Sequence, residues 1–126
     1  MVPFPPAVLE HYRRPRHRGA LSGATVTSEG ANPLCGDRIR VALRVEGGTV
    51  TEARFAGDAC AVSVAAASLL MERLHGMAVA EAERLEERDV LALIGGEIPA
   101  GRLACVRLPL RVAHDGLRAW RAAAGA

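Results

Sequence analysis

The sequence contains no lysine and very few aromatic side chains. All 16 basic residues are arginine, and two Phe, one Tyr and one Trp are the only aromatic residues in 126 positions. With histidine neutral, the formal net charge is +2, so composition predicts no strongly basic surface of the kind that binds nucleic acid. We therefore expect an aliphatic core and no nucleic-acid partner.

Long hydrophobic runs are also absent. No apolar stretch approaches the roughly 20 residues that a transmembrane helix needs, and the opening MVPFPPAV lacks the basic region of a signal peptide. These features favour a cytoplasmic protein with no membrane contact. The chain length suits one compact domain, residues 1–126.

Cysteine is scarce, and its count is odd. Cys35, Cys60 and Cys105 cannot all pair within one chain, and none belongs to a CxxC motif of the zinc-finger type. In a reducing compartment thiols are the default state. By count alone, three buried and inert thiols are the favoured interpretation.

The clearest pattern that is present is an alternating segment, RIRVALRV, at residues 38–45. Apolar and mainly arginine positions alternate, which predicts a strand with one buried and one wet face. A second strand is predicted in VTEARFAG, residues 50–57. The predicted inward residues are Ile39, Val41, Leu43 and Val45 on the first strand, and Thr51, Ala53 and Phe55 on the second.

The hydrophobic pattern also predicts the register of this hairpin. A two-residue turn would place Val41 opposite Arg54 and so mix buried with wet positions. A three-residue loop, Gly47–Thr49, places Val41 opposite Phe55. Since a slip of one residue exchanges the two faces of a strand, we predict the second register and the longer loop.

This register brings chemically active residues together. Extended beyond the strand ends, it places Cys35 opposite Ala61, one residue from Cys60. Cys35, Asp37 and Cys60 are therefore expected at the same open end of the hairpin.

Helices are predicted before and after the hairpin. The first helix lies in FPPAVLEHYRRP and ends before Pro15, and a weakly signalled strand covers 24–29. A long helix begins at Asp58 as N-cap and ends at Gly76 as C′ residue. Two short helices (AVAEAERL, ERDVLALIGG) follow, and Pro109 kinks or restarts a last helical region at 98–124. The order predicts an α+β fold with an antiparallel sheet.

The residues at the open end admit two interpretations. Cys60 lies in the first turn of the predicted helix. It is either a thiolate stabilised by the free amide donors there or a small side chain packed against the sheet. Asp37 is either a turn residue or a hard oxygen ligand beside sulfur. Cys105 would supply a third thiolate. None of the histidines, His17 and His75 included, is expected to be a ligand.

Four segments resemble one known family. They are HYRRPRHRG (11–19), NPLCGDRIRV (32–41), FAGDACAVSVAAASLL (55–70) and IPAGRLAC (98–105). In this order they resemble the iron–sulfur cluster assembly scaffolds of the IscU/NifU/SufU superfamily, and the SufU branch most closely.

The resemblance implies a fold, a site and partners. The fold is a sandwich of a three-stranded antiparallel sheet against several helices. Cys35, Asp37, Cys60 and Cys105 correspond to the ligands of one site for Zn²⁺, or for iron in a [2Fe–2S] cluster, with Arg102 nearby. Cys35 and Cys105 are the candidate persulfide acceptors. A cysteine desulfurase would donate sulfur, and apo-proteins would receive the cluster.

Some positions depart from the family pattern and leave two functions open. Ala104 stands where the IscU branch has histidine, and IPAGR replaces that branch's chaperone-recognition segment. The SufU insertion between the second and third cysteines is missing. One function is a non-enzymatic scaffold. The other is a zinc-dependent sulfurtransferase, which the missing histidine favours.

Overall fold

The computed structural model describes residues 4–124, in which one three-stranded antiparallel sheet packs against helices. The strand order is β1-β2-β3. Helix α5 contacts β1 and β2, and α2 contacts β3. The elements are α1 Pro6–Arg13, β1 Val26–Asn32, β2 Asp37–Glu46, β3 Thr49–Ala56, α2 Ala61–Leu74, α3 Val79–Ala82, α4 Glu87–Ile94 and α5 Leu103–Ala124, with a 3-10 turn at Ala100–Arg102. The predicted α+β architecture is confirmed.

Strand β2 alternates as predicted. Ile39 and Leu43 are fully buried, whereas Arg38 and Arg40 on the opposite face are exposed. The buried face joins a mainly aliphatic core that includes Phe55, with Phe4 and Trp120 packed against it. The scarcity of aromatic residues is thus accommodated by many small and branched side chains.

The predicted register of the hairpin is confirmed over most of its length. Val41 pairs with Phe55, and Arg44 pairs with Glu52. Apolar side chains therefore face each other on the buried side, and opposite charges are neighbours on the wet side.

The predicted three-residue loop is wrong. Gly47 and Gly48 form a two-residue turn with φ values of +58° and +75°, conformations that favour glycine. The one-residue offset is absorbed by a bulge, because Val45 pairs with Val50 and leaves Thr51 as the extra residue. Consequently Val50 is fully buried, and Thr51, predicted inward, is only half-buried.

Strand β1 is displaced from its predicted position at 24–29, and its weak signal has a structural cause. Its inward positions are small because α5 lies directly on them. A Cβ atom at Gly30 would meet the Val112 side chain at 2.7 Å. The Ser28 hydroxyl donates a hydrogen bond of 2.6 Å to the Val112 carbonyl. Close packing thus replaces the alternating apolar pattern by which strands are recognised.

Most helix ends lie where the sequence predicts them, and one does not. Helix α1 ends before Pro15, and Gly76 follows the C-cap of α2 with φ +83°. However, α2 begins at Ala61 with Cys60 as N-cap, so the prediction of Asp58 as N-cap is wrong. The side chain of Asp37, the first residue of β2, takes over the capping role by accepting a hydrogen bond from the Cys60 N–H.

Helix α5 continues through Pro109 without a restart. Proline has no N–H, so the Cys105 carbonyl four residues earlier loses its helical donor. That carbonyl accepts a hydrogen bond of 2.9 Å from the Ser63 hydroxyl of α2. The contact between helices replaces the missing bond in the ladder.

None of the helices within residues 4–124 combines the length and the hydrophobicity that a membrane-spanning helix requires. The predicted domain bounds of 1–126 and the opening stretch include residues 1–3 and 125–126, which lie outside the described residues. Those bounds stay a prediction.

Candidate metal centre

Three elements bring two thiols and a carboxylate together at one end of the sheet. Cys35 lies in the loop between β1 and β2, Asp37 is the first residue of β2, and Cys105 lies near the start of α5. Their ligand atoms are all within 4.8 Å of one another. The Sγ atoms of Cys35 and Cys105 are 3.7 Å apart, although 70 positions separate the residues.

Cys60 joins this group through Asp37. The backbone N–H of Cys60 donates a hydrogen bond of 2.8 Å to Asp37 Oδ1, and Cys60 Sγ lies 3.6 Å from Asp37 Oδ2. The carboxylate of Asp37, whose residue is 2% exposed, therefore satisfies a free amide at the start of α2 in place of a local cap. Cys35, Asp37 and Cys60 lie together, as the hairpin register predicts.

Ser63 was missed by the sequence analysis. Its fully buried hydroxyl lies 2.9 Å from both Asp37 Oδ2 and the Cys105 carbonyl. A hydroxyl has one hydrogen, so the two acceptors share it. Two signals could have revealed it: Ser63 follows Cys60 by one helical turn, and Pro109 frees the Cys105 carbonyl.

Arg102 lies beside the sulfur atoms, where the family resemblance places it. Hydrogen bonding to Cys105, followed by the charge of Cys60, raises the pKa of the Arg102 guanidinium. A fixed positive charge at this position favours thiolates over thiols.

The thiols differ sharply in exposure. Cys35 is exposed, and Cys105 is fully buried. Burial, followed by hydrogen bonding with Cys60 and Cys35, raises the pKa of Cys105 to about 12. In the metal-free protein Cys105 is therefore a protonated thiol at neutral pH, whereas Cys35 is open to reagents and partners.

The donor set fits a thiophilic metal. Three cysteines and one aspartate make four donors, and sulfur ligands suit zinc and iron–sulfur clusters. In a tetrahedral zinc site, Zn–S bonds of about 2.3 Å separate two sulfur atoms by about 3.8 Å. The 3.7 Å between Cys35 and Cys105 matches that separation.

The domain has known relatives. The sequence profile described as the NifU-like N-terminal domain matches residues 4–125. The chain belongs to this family, which confirms the resemblance found in its four segments.

Individual relatives carry two different names. The chain is 40% identical over 102 residues to the iron–sulfur cluster assembly scaffold protein IscU of Thermotoga maritima, covering 81% of this chain and 72% of that protein. It is 36% identical over 127 residues to the zinc-dependent sulfurtransferase SufU of Bacillus subtilis, covering 87% and 86%.

Solved structures support the fold. The N-terminal part of a nitrogen-fixing NifU-like protein from Brucella abortus superposes with a TM-score of 0.79 at 20% identity, covering 93% of each chain. A putative iron–sulfur cluster assembly scaffold for the SUF system from Fervidobacterium islandicum superposes with a TM-score of 0.76 at 20% identity, covering 89% of this chain and 94% of that one.

Proposed function

We propose that this protein is an iron–sulfur cluster assembly scaffold. Cys35, Asp37, Cys60 and Cys105 hold iron and a transient [2Fe–2S] cluster, which passes to apo-proteins. The observation that carries the proposal is the convergence of these donors from three separate segments, with two sulfur atoms at a metal-binding separation. Three free thiols suit a reducing compartment, and we place the protein in the cytoplasm.

Sulfur enters from a cysteine desulfurase. The thiolate of Cys35, or of Cys105 once it has lost its proton, attacks the outer sulfur of the donor's persulfide. A new S–S bond forms on the scaffold, the donor's S–S bond breaks, and the donor leaves as a thiolate. The step needs no external oxidant or reductant. Exposure favours Cys35 as the first acceptor, because Cys105 is fully buried.

Asp37 gives the site a means of release. An oxygen ligand holds a soft metal less firmly than sulfur does. The same carboxylate has alternative partners within reach, the Cys60 amide and the Ser63 hydroxyl. When the metal leaves, these donors keep the buried carboxylate hydrogen-bonded.

Anaerobic reconstitution tests the scaffold function. Incubation with ferrous iron, cysteine, a desulfurase and excess dithiothreitol, which reduces the persulfide sulfur to sulfide, should produce a visible-absorbing cluster with iron and acid-labile sulfide in equal amounts. Cys35→Ser, Cys60→Ser and Cys105→Ser should each reduce it, and His114→Gln, away from the site, should not. Unchanged cluster formation in all three cysteine variants would contradict the proposal.

A zinc-dependent sulfurtransferase is the second candidate, and two observations favour it. Ala104 removes the histidine of the IscU branch, and the sulfur separation fits a single tetrahedral ion. This function predicts one zinc per chain as purified and stimulation of the desulfurase. Protein that lacks zinc and gives no stimulation would argue against it.

A further inference from the structure

The outer edge of β3 is covered by two segments that are distant in sequence. Near one end, the Gly19 N–H donates to the Phe55 carbonyl at 2.8 Å, and the Phe55 N–H donates to the His17 carbonyl at 3.0 Å. Near the other end, the Gly76 N–H donates to the Val50 carbonyl at 2.7 Å. The loop after α1 and the end of α2 therefore meet along one strand.

Where these segments approach, two histidines face one glutamate. His17 Nδ1 lies 3.5 Å and His75 Nδ1 lies 3.9 Å from Glu52 Oε1. The imidazole rings are 5.8 Å apart between centroids. One ligand atom from each residue lies within 4.8 Å of the other two.

The distances from the two histidines to Glu52 are close to those between neighbouring ligand atoms around a bound metal ion. Ligand bonds of about 2.0–2.1 Å in tetrahedral geometry separate neighbouring nitrogen and oxygen donors by about 3.4 Å. The two Glu52 contacts exceed that separation by at most about 0.5 Å. The ligand nitrogens of His17 and His75 lie within 4.8 Å of each other, so a bound ion would draw the two rings together. Two imidazoles and one carboxylate with an open position form a donor set that zinc uses in proteins.

The backbone of His17 gives independent support. Among residues 4–124, His17 is the one residue other than glycine with positive φ, at +59°. Such a conformation costs free energy and persists where surrounding contacts hold it, often at functional sites. Here the hydrogen bond between the His17 carbonyl and Phe55 holds the residue against β3.

We propose that His17, Glu52 and His75 form a second metal site, which binds Zn²⁺ or a similar borderline divalent ion. Two imidazole nitrogens and one carboxylate oxygen supply three ligands. The side chain of His75 is half exposed, so water can reach the fourth position. The ion would tie the loop after α1 to the end of α2 across β3.

The second site is independent of the cysteine centre. Cys60 caps the start of α2 and His75 caps its end, with a helix of 14 residues between them, about 21 Å long. One neighbouring cation competes with the ion, because Arg54 Nε lies 3.7 Å from the same Glu52 oxygen. The Arg54 side chain is partly exposed and can turn towards solvent.

Cobalt substitution tests the proposal because it distinguishes the two donor sets. Thiolate ligands give Co²⁺ an intense near-ultraviolet charge-transfer absorption, and nitrogen and oxygen ligands do not. Wild-type protein should bind two Co²⁺, one with the charge-transfer band and one with visible ligand-field bands alone. His17→Gln and His75→Gln should each weaken binding of the second ion by about 10-fold or more, because the loss of a residue that only hydrogen-bonds to a metal ligand already costs that much.

A matched variant and a second measurement complete the experiment. His114→Gln, which changes a histidine bonded to the Ala82 carbonyl, should retain both ions. In wild-type protein, Zn²⁺ should shift the ring-nitrogen resonances of His17 and His75 and leave those of His114 unchanged. A single bound Co²⁺ in the wild type, full retention of the second ion in both variants, or unshifted His17 and His75 resonances would overturn the proposal.

Discussion

Helix α2 carries a candidate metal ligand at each end, and its two ends differ in chemistry. Cys60 is the N-cap and contacts the carboxylate of Asp37, which lies beside Cys35 and Cys105; His75 is the C-cap, beside another histidine and Glu52. The N-terminus of a helix favours negative groups and its C-terminus favours positive ones. The first end therefore suits sulfur ligands that become negative on binding a metal, and the second suits imidazoles around the proposed cation.

The two ends also differ in burial. At the cysteine end, Asp37 and Cys105 are nearly or fully buried and Cys35 is exposed; at the histidine end, the side chain of His75 is half exposed. Buried donors are held in position by packing and hydrogen bonds before any metal arrives. At the histidine end, the ion would have to order the side chain of His75. Perturbations at the cysteine end should thus have the larger effects.

The largest expected effect is the loss of a sulfur ligand. Cys105→Ser should lower the zinc affinity of the cysteine centre by at least about 100-fold. Even the loss of a residue that only hydrogen-bonds to a metal ligand lowers metal affinity by about 10- to 100-fold. His75→Gln should leave that affinity unchanged. Competition with a chromophoric chelator measures both. Equal losses in the two variants would show that the ends are coupled and would break the comparison.

Removal of the Ser63 hydroxyl should have the next largest effect. Ser63→Ala leaves the buried Cys105 carbonyl without a donor and should reduce the free energy of unfolding by about 1–3 kcal/mol. Urea denaturation of the metal-free protein measures it. Ser22→Ala, in an exposed loop, should change stability by less than about 0.5 kcal/mol.

A double-mutant cycle isolates the reason for that loss. Pro109→Ala returns an N–H that can donate to the Cys105 carbonyl along the helix. In the Pro109→Ala background, Ser63→Ala should therefore cost less than it does in the wild type. Additive costs would mean that the Ser63 hydroxyl does not compensate for the proline.

The free energy of unfolding of the metal-free protein should depend on pH because the Cys105 thiol is buried. The folded protein raises the pKa of Cys105 from 9.0 to about 12, so between these values the unfolded chain loses a proton that the folded protein keeps. The contribution of the Cys105 thiol to the free energy of unfolding is complete below pH 9.0 and is lost as the pH rises towards 12. Urea denaturation of metal-free protein between about pH 8 and pH 10 should show this decline. It should be shallower in Cys105→Ser, and parallel curves would contradict the assignment.

The smallest expected effect concerns the affinity of the histidine end for its ion. Arg54→Gln removes the cation that shares Glu52 Oε1. A partly exposed pair of this kind is worth about 1 kcal/mol or less, so the second Co²⁺ should bind a few-fold more tightly. The charge-transfer band of the first ion should not change. Weaker binding of the second ion would indicate that Arg54 orients Glu52 instead of competing for it.

Local patterns in the sequence were sufficient for much of the fold. Alternation along β2 predicted its buried face, and matching that face with β3 predicted the pairing of Val41 with Phe55. The same pairing predicted that Cys35, Asp37 and Cys60 lie together. Cys105 was a possible third thiolate from its place at the start of the last helical region, and the family resemblance assigned it to the site. Its proximity depends on how α5 packs, and no local pattern encodes that packing.

By itself, the sequence determined the strand faces, most helix ends and the family, since each depends on neighbouring residues or on a motif. Tertiary structure alone decided three features. A bulge at Thr51 reconciles a two-residue turn with the predicted register, Asp37 caps α2 from another element, and His17 meets His75 across β3. Each requires contacts between segments distant along the chain, and these form only when the helices and the sheet edge pack together.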